Sequence, residues 1–163
     1  MAHLHSSNAA LRIFGDKLEP DEISRILGGV PTCSYRKGEI KKLKRKDIVK
    51  KSGAWILAAT DHEPENLDAQ VDEILGKLTQ DLSVWTSLSK EYWIDLFCGF
   101  WMKESDEGVD ISAKTLKALG ERAIKLGICI YAPSKDVEAD DPCPCNSGKK
   151  YAECCAPKTV AKK

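Results

Sequence analysis

Alternating apolar and polar positions mark out several short strands along the chain. Leu11–Phe14 and Ala54–Ala59 have the apolar, β-branched and aromatic content of strands. Tyr92–Trp101 is the most strand-like segment, with aromatic residues on both faces, and Gly99 within it indicates a bulge or a close packing contact. Ile128–Tyr131 follows as the last predicted strand.

Helices are predicted between these strands from their end signals and their spacing. The first begins at Pro20 and ends at Gly28, because proline favours the first turn and glycine favours the position just after the last. A short helix is predicted at Leu82–Leu88, with its apolar residues facing inward.

Two further helices carry clear capping residues. Asn66 and Ser112 each precede an apolar stripe, and their side chains can accept a hydrogen bond from the first turn. Gly127 is the expected end of the second of these helices. The stripes comprise Leu67, Val71, Ile74, Leu75 and Leu78 after Asn66, and Leu116, Leu119, Ala123 and Leu126 after Ser112.

The order of these elements predicts an α+β fold, with helices packed on a mostly antiparallel sheet. The alternation of strands and helices is also compatible with a parallel, doubly wound sheet. The 163 residues, 42% of them hydrophobic and 31% charged, are enough for one domain of ordinary size and a short tail.

Composition also bears on cellular location. No apolar run approaches the roughly 18 residues of a membrane span, and the N-terminal residues lack the apolar core of a signal peptide. A cytoplasmic protein is therefore expected. In a reducing compartment, Cys33, Cys98 and Cys129 are interpreted as small core residues and not as a disulfide framework.

The net charge is zero, but the charges are segregated. Residues 36–51 contain nine basic residues, among them Lys42, Lys44 and Lys46, whereas residues 61–73 contain six acids and no Lys or Arg. The favoured interpretation is a solvated loop or hairpin whose lysine stems cover Ile40, Leu43, Ile48 and Val49. The alternative is a contact surface for RNA or an acidic protein, although Tyr35 is the only aromatic residue near it for base stacking.

Enzymatic alternatives have weaker support in the residues. A nucleophilic pair of Cys98 and His62 is conceivable, but a lone histidine in an acidic loop is more often surface decoration. A ligand pocket among the four tryptophans is the other alternative, against the interpretation of these rings as core. The tryptophans are Trp55, Trp85, Trp93 and Trp101.

The most informative chemistry lies near the C-terminal end. Cys143 and Cys145 are followed after eight residues by Cys154 and Cys155, and four thiols at this spacing are most simply explained as one tetrahedral, structural zinc site. The intervening Asn146-Ser147-Gly148 segment predicts a tight turn with positive φ. A redox role for the two cysteine pairs is the alternative.

The segment C-P-C-N-S-G-K-K-Y-A-E-C-C resembles the SEC-C motif, the zinc-binding tail known from the bacterial preprotein-translocase ATPase. The resemblance implies Zn²⁺ binding and a docking role towards a chaperone, a secretion component or the ribosome. Lys149 and Lys150 lie between the cysteine pairs and are the expected partner-contacting residues. Translocase activity is not implied, because the chain lacks a G-x-x-x-x-G-K-[ST] phosphate loop.

The body of the chain resembles a family of bacterial domains of unknown function. The matching features include L-R-I-F-G near the start, P-D-E-I-S-R-I-L-G, and the ending L-G-I-C-I-Y. The resemblance brings no reaction or substrate. The predicted organisation is a flexible N-terminus (1–8), an α+β domain (9–132), an acidic linker (133–141), a zinc module (142–158) and a basic tail (159–163).

These observations predict a zinc-binding, non-catalytic protein-interaction module or adaptor. RNA or ribosome binding through residues 36–51 and the tail is the first alternative. An uncharacterised enzyme or ligand-binding protein is the second.

Overall fold

The computed structural model describes residues 4–42, 47–132, 140 and 147–154. It divides the chain into two units, Met1–Ala132 and Pro133–Lys163. The strands of the first unit are β1 (Ser6–Gly15), β2 (Cys33–Tyr35), β3 (Ile40–Lys41), β4 (Ile48–Val49), β5 (Gly53–Ala58), β6 (Trp93–Trp101) and β7 (Lys125–Tyr131). Its helices are α1 (Pro20–Leu27), α2 (Leu67–Gly76), α3 (Leu82–Glu91) and α4 (Ala113–Glu121).

Five strands form one sheet in the order β2-β5-β1-β6-β7, and β3 pairs with β4 in a separate two-stranded ribbon. Strand β1 lies at the centre and runs antiparallel to both of its neighbours. The pairing of β6 with β7 is parallel. The α+β prediction is confirmed, and a parallel doubly wound sheet is excluded because β2, β5, β1 and β6 alternate in direction.

The hydrophobic core lies on one face of this sheet. Burial alternates along β1, where Leu11 and Ile13 are fully buried, and their partners Leu96 and Ile94 on β6 face the same side. All four helices contribute to the same apolar cluster, through Ile23, Leu27, Leu67, Val71, Ile74, Trp85, Leu88 and Leu119. The helices therefore cover one face of the sheet, as the alternating pattern requires.

The helix start signals are confirmed. The Asn66 side chain accepts a hydrogen bond from the Ala69 backbone at 3.0 Å, and Ser112 accepts one from Thr115 at 3.2 Å. Gly28 follows α1 in the left-handed conformation, with φ of 75°. Each cap satisfies a backbone group that the helix itself leaves unpaired.

The predicted end of the last helix is wrong. Helix α4 ends at Glu121, and Ala123 adopts a left-handed φ of 53° that turns the chain back to the sheet. Leu126 and Gly127 therefore belong to β7, which begins three residues before the predicted Ile128. Leu116 is 51% exposed, so it is not part of an inward stripe.

Two other expectations need correction. Strand β1 begins at Ser6 and Leu4 is buried, so the predicted flexible segment 1–8 overlaps the start of the folded domain. Cys98 is a core residue as expected, but Cys33 is exposed on the edge strand β2 and Cys129 is half-buried.

A buried polar cluster joins the start of β1 to α2. Gln70 is fully buried, its side-chain nitrogen donates to the carbonyls of Ser7 at 3.1 Å and Thr60 at 2.8 Å, and its side-chain oxygen accepts from the Ser7 hydroxyl at 2.9 Å. The Ser7 hydroxyl also accepts from the Asn66 backbone at 3.2 Å. Burial of this amide costs little because its polar atoms are satisfied.

None of the helices in the described ranges has the length and apolar character that a membrane crossing requires.

Candidate functional site

The described part of the C-terminal unit is a tight turn that leads to a cysteine. Gly148 has a φ of 75°, as predicted for this turn, and Tyr151–Glu153 forms one 3-10 turn. The Ser147 hydroxyl lies 3.2 Å from Sγ of Cys154, and the backbone N–H of Lys149 donates to the same hydroxyl at 3.4 Å. A hydroxyl beside a sulfur can donate a hydrogen bond to a thiolate and so favours the form that binds metal.

Cys154 is one of the four predicted zinc ligands. Cys143, Cys145 and Cys155 lie outside the described residues. Within residues 4–42, 47–132, 140 and 147–154, no group of three or more His, Cys, Asp or Glu side chains converges as a metal site. The chemistry of the described donor, a sulfur with a neighbouring hydroxyl, fits a thiolate ligand of zinc.

The two lysines of the tail differ in their surroundings. Lys150 Nζ forms an ion pair with Asp140 at 2.7 Å, with its side chain 57% exposed. Lys149 is exposed in the same turn. An exposed ion pair of this kind contributes little to stability.

The basic stretch contains the β3–β4 ribbon. Ile40 pairs with Val49, and Gly38 and Glu39 exchange backbone hydrogen bonds with Lys50 at 2.8 Å each. Lys42 is exposed. Lys44 and Lys46 lie outside the described residues, as does Leu43.

The expectation that lysine stems cover the apolar side chains of this stretch is wrong for the three that are described. Ile40, Ile48 and Val49 are 57%, 47% and 57% exposed. An isolated two-stranded ribbon has no second layer to bury its apolar side chains.

The base of the ribbon is held by ion pairs to the start of α1 and the loop before it. Arg36 contacts Glu19 at 2.6 Å and Asp21 at 2.9 Å, and Lys37 pairs with Asp16. The pKa of Arg36 is raised, first by its hydrogen bond to Glu19 and then by that to Asp21. These two cations are therefore already neutralised.

The nucleophile considered from the sequence is not activated. Cys98 is buried in the core, and burial raises the pKa of its thiol to about 12. His62 lies in a backbone bridge with Ser7. A nucleophilic cysteine needs a lowered pKa, so the surroundings of Cys98 have the opposite effect.

The four tryptophans do not form one pocket. Trp55 and Trp85 are fully buried in the core, and their indole nitrogens donate to Ser24 Oγ and the Thr79 carbonyl, both at 3.0 Å. Trp93 and Trp101 lie on the opposite face of the sheet. A groove of about 350 Å³ between α1 and α3 is lined by none of the four.

The face of the sheet opposite the helices carries a group of residues that the sequence pattern did not bring together as one site, although Trp93 and Trp101 were considered as pocket residues. It is called the open face here and consists of the outward-pointing residues of the five strands. Phe14, Phe97 and Trp101 are half-buried on it, and none of them packs against the core cluster. Trp93 and Tyr131 are 56% and 43% exposed. The aromatic residues on both sides of the β6 sequence were the signal for this face.

An ion pair lies at the centre of the open face. Arg12 Nε and Nη2 contact the two carboxylate oxygens of Asp95 at 2.8 Å each, and the Trp93 indole donates to Asp95 at 3.2 Å. The hydrogen bond to Asp95 raises the pKa of Arg12. The Arg12 guanidinium lies 4.3 Å from the ring centre of Phe97 and 5.5 Å from that of Phe14.

Further cations lie against other rings of this face. Lys125 Nζ is 4.6 Å from the Trp93 ring centre, and Lys50 Nζ is 3.8 Å from that of Tyr35. At the other end, Trp101 and Tyr131 stack with their ring centres 4.9 Å apart. The open face therefore combines aromatic surface with positive charge.

Comparisons with known proteins match both units. The model of a domain of unknown function (DUF4279) matches residues 5–133, and that of the SEC-C motif matches residues 141–157. The protein translocase subunit SecA of Helicobacter pylori is 40% identical over 53 residues, which is 32% of this chain and 6% of that subunit's length. No solved structure matches the chain.

Proposed function

The chain belongs to the DUF4279 family of domains of unknown function and ends in a SEC-C motif, and on this premise we propose that it is a non-catalytic interaction protein whose tail is folded by one zinc ion. Cys143, Cys145, Cys154 and Cys155 would hold the metal. The observation that carries the proposal is the SEC-C match over residues 141–157, which includes all four cysteines.

The turn before Cys154 supports the assignment of a ligand there. Ser147 Oγ lies 3.2 Å from the sulfur, and Gly148 supplies the positive φ that reverses the chain between the two cysteine pairs. Zinc bound by four thiolates has no open coordination position and contributes folding free energy, on the order of 10 kcal/mol, to so short a segment.

The proposed partner surface is cationic. Lys149 is exposed, and the ion pair of Lys150 with Asp140 is itself solvent-exposed. An acidic surface can therefore replace Asp140 as the partner of Lys150 at little cost in free energy. The partner classes that the motif resemblance implies are a chaperone, a secretion component and the ribosome. Binding to any of these through lysines weakens as salt rises.

Metal analysis of protein purified under reducing conditions tests the zinc assignment. We expect about one zinc per chain, loss of zinc in Cys154→Ser, and retention in Cys33→Ser, which removes an exposed cysteine from β2. Wild-type protein without zinc, or zinc retained after Cys154→Ser, would contradict the assignment.

Co-sedimentation with purified ribosomes and pull-down with purified secretory chaperones test the docking role. The double variant Lys149→Glu/Lys150→Glu should lose binding. The matched control, Lys114→Glu/Lys117→Glu on α4, makes the same change in charge on the other unit and should retain it. Equal binding by both double variants, with zinc still bound, would remove the tail from the contact surface.

A further inference from the structure

Within residues 4–42 and 47–132, the helices cover one face of the sheet, and no described helix or strand covers the open face. The core cluster takes its sheet residues from one side, and all four helices pack there. Phe14, Phe97 and Trp101 point away from this cluster and remain partly accessible. Rings left accessible on the central strands of a sheet present flat apolar surface at the end of short, stiff side chains.

The charge of the open face is positive. Among the outward-pointing residues of the five strands, Asp95 is the only carboxylate, and Arg12 already neutralises it through two hydrogen bonds. Lys125 lies over the exposed ring of Trp93. At the opposite edge, Lys50 lies over Tyr35. The face therefore offers rings and cations side by side, with no unpaired anion among its strand residues.

The basic stretch, residues 36–51, adjoins this surface along the chain. It connects β2 to β5 and begins directly after Tyr35, which shares a row across the sheet with Phe14 and Trp93 through the strand register. In the sequence, Tyr35 is the only aromatic residue close to the basic stretch 36–51 that could stack on a base. The fold supplies further aromatic residues from β1 and β6.

We propose that the open face binds single-stranded nucleic acid. Bases would stack on Phe14, Phe97 and Trp93. Phosphates would meet Lys125, Lys50 and the exposed Lys41 and Lys42. Single-stranded nucleic acid fits because its bases offer flat apolar rings and its backbone offers regularly spaced anions. A duplex does not fit, since its bases are already stacked on one another. All of these residues belong to the first unit, Met1–Ala132, and none to the proposed zinc tail.

Fluorescence anisotropy with the full chain and labelled oligouridylate or oligothymidylate of about 12 nucleotides tests the proposal, at about 50 mM salt. We expect binding of the single strands, much weaker binding of a duplex of the same length, and a steep loss of affinity with salt. Comparison of the two single strands shows whether a 2′-hydroxyl contributes.

Paired variants locate the site. Phe97→Leu keeps an apolar side chain but removes the ring, and should weaken binding about 5-fold to 100-fold. Leu116→Ala removes an exposed apolar side chain from α4 and should leave binding unchanged. Lys125→Glu should weaken binding and lower the salt dependence, whereas Lys117→Glu on α4 should affect binding far less.

Intrinsic fluorescence gives a second, direct readout. Trp93 is exposed on the open face while Trp55 and Trp85 are buried, so stacking of bases should quench emission in the wild type and quench it less in Trp93→Phe.

Three outcomes would overturn the proposal: no binding of either single strand at low salt, equal affinity for Phe97→Leu and wild type, or a dimer that Phe97→Leu converts to monomer without any oligonucleotide binding. The last would assign the face to a second copy of the chain. Because Lys125 is exposed, Lys125→Glu keeps the test decisive if Phe97→Leu fails to fold.

Discussion

Replacing Gln70 with leucine is expected to lower the free energy of unfolding by about 2 kcal/mol. The change removes three hydrogen bonds, to the Ser7 hydroxyl, the Ser7 carbonyl and the Thr60 carbonyl. At about 1 kcal/mol for each bond, the loss is about 3 kcal/mol. The leucine side chain is of similar volume and returns about 1 kcal/mol through apolar burial.

The surroundings limit the loss to this value. The Ser7 carbonyl keeps its bond from the His62 backbone at 3.0 Å, and the Ser7 hydroxyl keeps the donor from Asn66. Thr60 loses the partner of its carbonyl. The loss in free energy of unfolding is therefore smaller than it would be if all three polar groups lost every hydrogen-bond partner, because two of them keep one.

Urea unfolding followed by tryptophan fluorescence measures this change, because Trp55 and Trp85 are buried in the native core. Asp72→Leu is the matched control on the same helix. Its side chain is 58% exposed, so the same new residue should change stability by only about 0.5 kcal/mol. Adding Ser7→Ala completes a double-mutant cycle, in which a coupling of about 1 kcal/mol is expected.

A Gln70→Leu protein as stable as the wild type would refute the reasoning. Equal losses from Gln70→Leu and Asp72→Leu would refute it as well, since the buried cluster would then not distinguish the two positions.

Three further predictions follow from single residues. Burial raises the pKa of Cys98 to about 12, so the folded state holds the thiol proton more tightly than the unfolded state, whose thiol titrates near 8.5 to 9. The stability that this difference contributes is full below the unfolded pKa and is lost as pH rises towards 12. In urea titrations, the wild type should therefore lose about 1 kcal/mol more than Cys98→Ala between about pH 9 and 10. Ala123→Gly should raise the free energy of unfolding by about 1 kcal/mol, because Ala123 has a φ of 53° that glycine adopts without strain; no gain in urea unfolding would contradict this. Asp95→Asn should strengthen oligonucleotide binding several-fold and lower stability, since it frees the Arg12 charge; weaker binding in the anisotropy assay would contradict the role given to the positive charge of the open face.

The sequence was sufficient to predict the elements whose signals are local. Asn66 and Ser112 cap the helices for which they were chosen, because a cap depends on residues three positions away. The alternation in β1 and the aromatic run of β6 gave the strands and the fold class. The cysteine spacing led to the SEC-C motif, which the comparisons confirm over residues 141–157.

The features that could not be predicted depend on contacts distant in sequence or on unusual backbone geometry. The pair of Arg12 with Asp95 joins two strands 83 residues apart, and no local pattern relates these residues. The end of α4 was missed because alanine rarely takes a positive φ, so Ala123 carries no turn signal. The four tryptophans look alike in sequence. The strand register places Trp55 in the core and Trp93 and Trp101 on the open face, and the packing of α3 buries Trp85.

The central position of β1 has a consequence for the synthesis of the chain. This strand leaves the ribosome first among the strands, yet its register pairs Ser6 with Trp101 on β6 and Gly15 with Gly53 on β5. Roughly 80 residues separate the end of β1 from the start of β6, and their translation takes about 4 to 16 s at ordinary elongation rates. During that interval the apolar side of β1, with Leu11 and Ile13, has no complete partner. A nascent chain arrested before residue 93 therefore exposes the apolar side of the central strand, which is the kind of surface that chaperones protect from aggregation.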